Sequence, residues 1–224
     1  MYLIDQRNHG RSPHSADHNY NLLKEDLLEF MDTHSIDKAI IIGHSMGGKT
    51  AMFFAAEYPE RISHLIVADI SPRSYKETNS EQQLVHSKII RAMYNLDFYG
   101  IQNREEIDDI LAKDIPDERV RQFLLKNVKR SGDNEYSWSI NIKTIRNELS
   151  NILVGLEEDQ KEIVGFPVLF LKGEKSDYIS EIDLKLISRI FPYADMETIP
   201  DAGHWLHAEQ PELFLKKIEN FILQ

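Results

Sequence analysis

The sequence predicts an α/β protein, a mostly parallel sheet flanked by helices and interrupted by a helical insertion. Three observations carry this reading. Short apolar runs alternate with amphipathic helical segments, as crossover connections between parallel strands require. A glycine-framed serine lies directly between one of those runs and the helical segment after it. Residues of about 72–160, between two of the strands, are too many for a simple crossover and carry a helical periodicity of their own.

In chain order, Tyr2-Leu3-Ile4 reads as a strand cut at its start. Leu23, Leu27, Phe30 and Met31 fall on one face of a helix over about residues 21–34. Lys38 to Gly43 is a buried strand, Met46 to Glu57 a helix ended by Tyr58-Pro59, and His64 to Ala68 the next strand. Phe166 to Leu171 is a further strand, residues 182–190 are helical, and Asp195 to Ile199 is a short last strand. Pro211 suits the first turn of a final helix that carries Phe214, Ile218, Phe221 and Ile222 on one face. Within the insertion the helical patterns are Val85/Ile89/Met93, Ile107/Ile110/Leu111, Val120/Phe123/Leu124 and Ile145 to Leu156. The expected division is therefore a core of residues 1–71 and 161–224 with a helical cap of residues 72–160. Ligands of open α/β sheets bind at the carboxyl ends of the strands, so the cap is expected over that edge.

Composition narrows the function. A chain of 224 residues with 42% hydrophobic and 28% charged residues suits one globular domain or one domain with an insertion. With 26 Lys and Arg against 37 Asp and Glu the net charge is −11, which argues against binding a nucleic-acid backbone. The absence of cysteine excludes disulfides, thiolate nucleophiles and Cys-ligated zinc. Apolar runs of about five residues fall far short of the roughly 20 that span a membrane. Met1 to Arg7 lacks the basic leader and apolar segment of a signal peptide, so a cytoplasmic protein is expected.

Gly43-His44-Ser45-Met46-Gly47 is a G-x-S-x-G element in strand–turn–helix context, which is what a nucleophile elbow demands. The turn would lift the Ser45 hydroxyl to the sheet edge, its glycines allowing close backbone approach. The Met46 backbone N–H, at the helix start, would face a developing oxyanion. A serine needs a base, and the best candidate is His204 in Asp201-Ala202-Gly203-His204-Trp205, a loop that returns to the same edge. His14, His18, His34 and His86 stand in polar, surface-like contexts, and His207 is expected to cap the final helix. His44 is expected to point away from Ser45. No histidine pair has convincing metal-ligand spacing with a nearby carboxylate, so metal-dependent hydrolysis is not expected, and a serine mechanism implies no cofactor. Two carboxylates end strands and could orient His204: Asp69 in Val67-Ala68-Asp69-Ile70-Ser71-Pro72, and Asp177 in Gly173-Glu174-Lys175-Ser176-Asp177.

Asp5-Gln6-Arg7-Asn8-His9-Gly10-Arg11-Ser12-Pro13-His14, Gly43 to Lys49, Asp69-Ile70-Ser71-Pro72 and Gly203-His204-Trp205 resemble the YbfF-like esterases of the α/β-hydrolase superfamily. The resemblance runs along the whole chain and implies the α/β-hydrolase fold with a cap. It also bears on the acid. Across the superfamily the acid usually stands three residues after the strand-end glycine, where this chain has Ser176, with Asp177 one step late. YbfF-like members carry it at the D-I-x-P aspartate, so the resemblance favours Asp69. It implies a serine carboxylester hydrolase acting on a small-molecule acyl ester, with thioesters an extension, through Ser45, His204 and Asp69. A C–C bond hydrolase or cofactor-free lyase shares the same machinery, and a non-catalytic binding protein on a hydrolase scaffold is the reading from another class. Ser45 argues against haloalkane dehalogenases and most epoxide hydrolases, which place an aspartate there.

One departure stands out. Family members carry upstream strands and an H-G loop that supplies the second oxyanion N–H, whereas this chain begins at the D-x-R-N-H-G-R-S strand. The expectation is a shortened chain or a misplaced start codon, with apolar sheet surface exposed at its edge and weak catalysis. Three further features read as structural: Asp5, Arg7 and Arg11 as a hydrogen-bonded scaffold behind the elbow, Lys49 as a helix-surface charge or packing feature, and Trp138 as packing the cap onto the sheet.

Overall fold

A computed structural model describes residues 1–76, 81–132, 135–156 and 159–223. The first elements are α1 (Tyr20–Thr33), β1 (Ala39–His44), α2 (Met46–Glu57) and β2 (Ile62–Ala68). Then come α3 (Glu81–Asn95), α4 (Arg104–Ala112), α5 (Glu118–Leu125), β3 (Val128–Arg130), β4 (Tyr136–Trp138), α6 (Ile142–Asn147) and α7 (Leu149–Ile152). The chain closes with β5 (Val168–Gly173), α8 (Glu181–Ile190), β6 (Ala194–Ile199), α9 (Leu206–Glu209) and α10 (Pro211–Ile222). By contacts the chain divides into two units, residues 20–74 with 154–224, and residues 1–19 with 75–153.

The first unit holds a parallel sheet in the order β1-β2-β5-β6. Parallel strands covered on both faces read as continuous apolar runs, and Leu65, Ile66, Val67 and Ala68 of β2 are all fully buried. At the edge the same composition has a different fate: Ile40 and Ile42 of β1 remain 41% and 50% exposed. Behind β2 and β5, Leu206, Ile218 and Phe221 from α9 and α10 close the core around Ile66, Leu169 and Leu171. Register decides where the chemistry goes. His44 pairs with Ala68, and Ala68 with Leu171, so β1 and β2 end level with one another and β5 runs on two residues further, to Gly173. The residues after β1 and β2 are Ser45 and Asp69.

The second unit is a helical body with its own core, in which Ile107, Leu111, Leu124, Val128 and Trp138 are buried together. Trp138 donates its indole N–H to the Met93 carbonyl at 3.0 Å. The β3–β4 hairpin has three-residue strands, too short for periodicity to reveal. The helix expected over Ile145 to Leu156 is two short helices, α6 and α7, after which the chain leaves helical geometry. Gly155 then passes so close to Arg73 that an added Cβ would lie 2.3 Å from its backbone carbon.

The first nineteen residues differ most from expectation. Tyr2, Leu3 and Ile4 form no strand and are 57%, 91% and 45% exposed. A strand exists only through its ladder, and among the described residues these three pair with no other strand. Residues 1–19 also group with 75–153 rather than with the sheet. The cause is polar: the Asn141 backbone N–H donates to the Asn8 carbonyl at 2.8 Å, and its side-chain amide to Asn8 Oδ1 at 3.0 Å. The Thr144 hydroxyl and the Asn141 amide both donate to the Ser15 carbonyl. His18, read as surface-like, is fully buried beside Asn8, with 3.4 Å between its Nδ1 and the Asn8 amide nitrogen. The Asp5 carboxylate accepts the Arg11 backbone N–H at 2.9 Å, a scaffold within this segment. No helix among the described residues is long and apolar enough to cross a membrane.

Candidate active site

Strand, turn and helix meet at Ser45. The residue has φ 52° and ψ −118°, outside the favoured regions for a side-chain-bearing residue. It is held there from both sides: its N–H donates to the Ala68 carbonyl at 3.0 Å, and its carbonyl accepts the Lys49 N–H at 3.0 Å. Gly43 and Gly48 make the turn possible. A Cβ on Gly43 would stand 2.3 Å from the Gly47 carbonyl oxygen, and one on Gly48 2.7 Å from Ile70 Cγ2. Gly47, also expected to be required by crowding, would meet nothing within 4 Å. Met46 is the first residue of α2, where backbone N–H groups lack intrahelical acceptors.

Three side chains distant in sequence come together at the strand ends. Ser45 Oγ lies 3.0 Å from His204 Nε2, and His204 Nδ1 lies 2.9 Å from Asp69 Oδ2. Asp69 is fully buried and also sits at positive φ, 51°. Its Oδ1 accepts the Gly173 N–H at 2.9 Å, and its Oδ2 accepts the Ser176 hydroxyl. Asp177 is exposed. The place that resemblance to the wider superfamily reserves for an acid is thus taken by a serine that donates to Asp69.

Several residues of the site escape a sequence reading. Tyr178 stacks on the His204 imidazole, with centroids 3.8 Å apart and planes within 18°. Burial, with Asp69 adding to it, pushes the Tyr178 phenol pKa up, so the ring stays neutral. An aromatic residue in the loop after β5 was the only available hint. Glu209 accepts the Gly203 N–H at 3.1 Å and steadies the histidine loop from α9. Asp183, buried at the start of α8, accepts the Ser71 hydroxyl at 2.7 Å, the Ser180 N–H at 2.8 Å and the Ser180 hydroxyl at 2.6 Å. It also pairs with Arg73 at 2.8 Å.

Lys49 is only 1% exposed, which excludes the helix-surface reading. It donates to the Arg73 carbonyl, and burial, followed by the nearby Arg73 charge, holds its pKa well below the ordinary lysine value. Lys49 and Asp183 therefore fasten the segment that follows Asp69. A residue in a strained conformation persists only when its surroundings over-determine it, and this is how Asp69 is held. His207 belongs to α9 rather than capping α10, and its ring lies 4.7 Å from that of His44. Among the described residues no group of three or more metal-ligating side chains is clustered.

The α/β-hydrolase fold family model matches residues 1–211. The zebrafish (Danio rerio) sn-1-specific diacylglycerol lipase ABHD11 is 40% identical over 99% of this chain and 69% of its own length. Esterase YbfF of Escherichia coli is 35% identical over 98% of this chain and 81% of its own. Among solved structures, a marine microorganism esterase superposes with a TM-score of 0.94 at 48% identity, covering 98% of this chain and 84% of that one.

Proposed function

The chain belongs to the α/β-hydrolase superfamily, among the relatives of esterase YbfF, and is a carboxylester hydrolase; from that premise we propose that it cleaves acyl esters through a Ser45-His204-Asp69 triad and an acyl-enzyme. The observation that carries the mechanism is the unbroken line of contacts from Ser45 Oγ through both ring nitrogens of His204 to Asp69. With its Nδ1 proton held by the Asp69 carboxylate, His204 presents a bare Nε2 to the serine hydroxyl.

In the first step Ser45 Oγ forms a bond to the acyl carbon while its proton passes to His204 Nε2. The carbonyl oxygen takes the displaced electron pair and is met by the Met46 N–H. Collapse re-forms the carbonyl, breaks the bond to the alcohol, and returns the proton from His204 to the departing oxygen. Water then repeats the sequence on the acyl-enzyme: it loses a proton to His204, adds to the acyl carbon, and releases the acid as Ser45 recovers its proton. Acyl thioesters fall within the same proposal, because the carbonyl chemistry is shared. In this reading the helical unit is the part of the chain that sets substrate choice.

The test is covalent labelling. A fluorophosphonate should label the protein once, at Ser45, and Ser45→Ala should abolish labelling together with p-nitrophenyl acetate hydrolysis. Persistent labelling or turnover in that variant overturns the triad. Wild-type protein that carries the label yet leaves simple esters intact would favour C–C bond hydrolysis.

A further inference from the structure

Resting on the triad reading, we propose that His44, the residue ahead of the nucleophile, is a positioning residue that donates its Nε2 proton to the His204 carbonyl oxygen and so locks the catalytic histidine's loop to the elbow. His44 Nε2 and the His204 oxygen are 2.7 Å apart, a bond bridging 160 positions of sequence. A carbonyl oxygen only accepts, so the nitrogen facing it must carry the proton. That fixes the tautomer of His44 and leaves its Nδ1 bare.

The surroundings keep the ring in that form. Its neighbours are the imidazoles of His204 and His207, each with its centroid 4.7 Å away. Loss of water around the ring, with those two histidines adding to it, lowers the His44 pKa to about 3. His44 therefore remains a neutral single-proton donor across the range in which His204 must exchange protons.

The consequence is geometric. Asp69 and Tyr178 fix the His204 ring at Nδ1 and on its face, and Glu209 holds the Gly203 N–H, but none of these contacts ties the main chain of His204 to the elbow. His44 acts on that main chain, and it is adjacent to Ser45 in sequence, so one bond couples the positions of nucleophile and base. Displacement of a reacting pair by about 1 Å costs on the order of 10²-fold in rate.

Three variants and one spectrum test this. His44→Phe keeps a ring and removes the donor, whereas His44→Gln offers an amide N–H. With p-nitrophenyl acetate, His44→Phe is expected to lower kcat by about 10–100-fold with KM within about twofold, and fluorophosphonate labelling should slow in parallel. His44→Gln is expected to recover most of the loss at a similar melting temperature. Ser45→Ala separates the two readings: turnover retained there removes the triad and the inference with it, while an inactive Ser45→Ala beside a fully active His44→Phe overturns the inference alone. Equal damage in Phe and Gln variants also overturns it, since ring packing would then be the whole effect. Nitrogen-15 histidine spectra of the wild-type protein need no variant to fold: His44 should show the Nε2–H neutral form from pH 5 to 8, and an Nδ1–H form or a doubly protonated ring overturns the proposal.

Discussion

The strand ends and the helical unit are stabilised in opposite ways. At the strand ends, Ser45 and Asp69 both sit at positive φ, and the side-chain bonds that link Ser45, His204, Asp69, Gly173 and Ser176 join residues 104 to 159 positions apart. In the helical unit, although Asn141 and Thr144 also reach back to residues 1–19, the helix starts are closed locally. Asn103, Asp117 and Asn141 cap α4, α5 and α6 by accepting backbone N–H groups two or three residues ahead. The difference teaches where strain is tolerated. Local caps need nothing from the rest of the chain, whereas an unfavourable backbone angle persists only where distant groups converge on it. A change at the strand ends should therefore be read in rate, and one in the helical unit in stability.

The largest effect expected is Ser45→Ala, which should lower kcat by roughly 10⁶-fold, as loss of a triad nucleophile does. Next is the acid. Asp69→Asn should lower kcat by up to about 10⁴-fold, because the amide favours the wrong imidazole tautomer. Asp177→Asn should stay within about tenfold, as befits an exposed side chain. Steady-state kinetics on one ester separates the two, and a crippled Asp177→Asn would move the acid to the β5 loop.

Glycines sharpen the comparison within the strand ends themselves. A Cβ on Gly173 would lie 2.2 Å from the Gly203 carbonyl oxygen and 2.8 Å from that of Ala202. Both are backbone atoms beside His204, so Gly173→Ala must displace the histidine loop. We expect overpacking to cost about 1–3 kcal/mol and kcat to fall by roughly tenfold or more, in line with the penalty for sub-ångström misplacement. Gly47→Ala meets nothing within 4 Å and lies in the first turn of α2. It should raise stability by about 0.5–1 kcal/mol, the usual gain of Ala over Gly in a helix. Melting temperatures that move together in the two variants would show that crowding is not what distinguishes the two positions.

The same contrast explains what could be read from sequence. The four strands of the sheet and the long insertion were legible because apolar periodicity is a local signal, and the α/β-hydrolase fold was implied by resemblance; the order of the strands in the sheet was not read. Ser45 and His204 were singled out because each lies in a short motif, and the structure places them 3.0 Å apart. The candidate acids needed a strand-end argument and a family resemblance. Tyr178, Ser176, Asp183 and His44 were not legible in their roles. Each takes its role from a partner more than one hundred residues away or from another loop, as when Ser71 meets Asp183 across 112 positions. Residues 1–19 misled for a related reason. Their apolar start resembles a strand, but polar groups of Asn8 and Ser15 decide which unit they join.

The smallest effect tests the helical side. Asn103 Oδ1 accepts the Glu106 N–H at 3.0 Å, and its amide returns a bond to Glu106 Oε1 at 2.9 Å. The other carboxylate oxygen of Glu106 accepts the Gln102 N–H at 3.0 Å, so the start of α4 is closed on itself. Asn103→Ala removes both Asn103 bonds and leaves the Glu106 N–H to water. Loss of an N-cap costs about 0.5–2 kcal/mol. For a chain of this size that is a fall of roughly 2–4 °C in melting temperature per kcal/mol. None of these bonds touches Ser45, His204 or Asp69, so kcat on p-nitrophenyl acetate should stay within about twofold of wild type, the range of substitutions away from a site. A clear loss of kcat at an unchanged melting temperature would mean that α4 reports to the chemistry, and the division between a locally closed helical unit and a convergent site would fail.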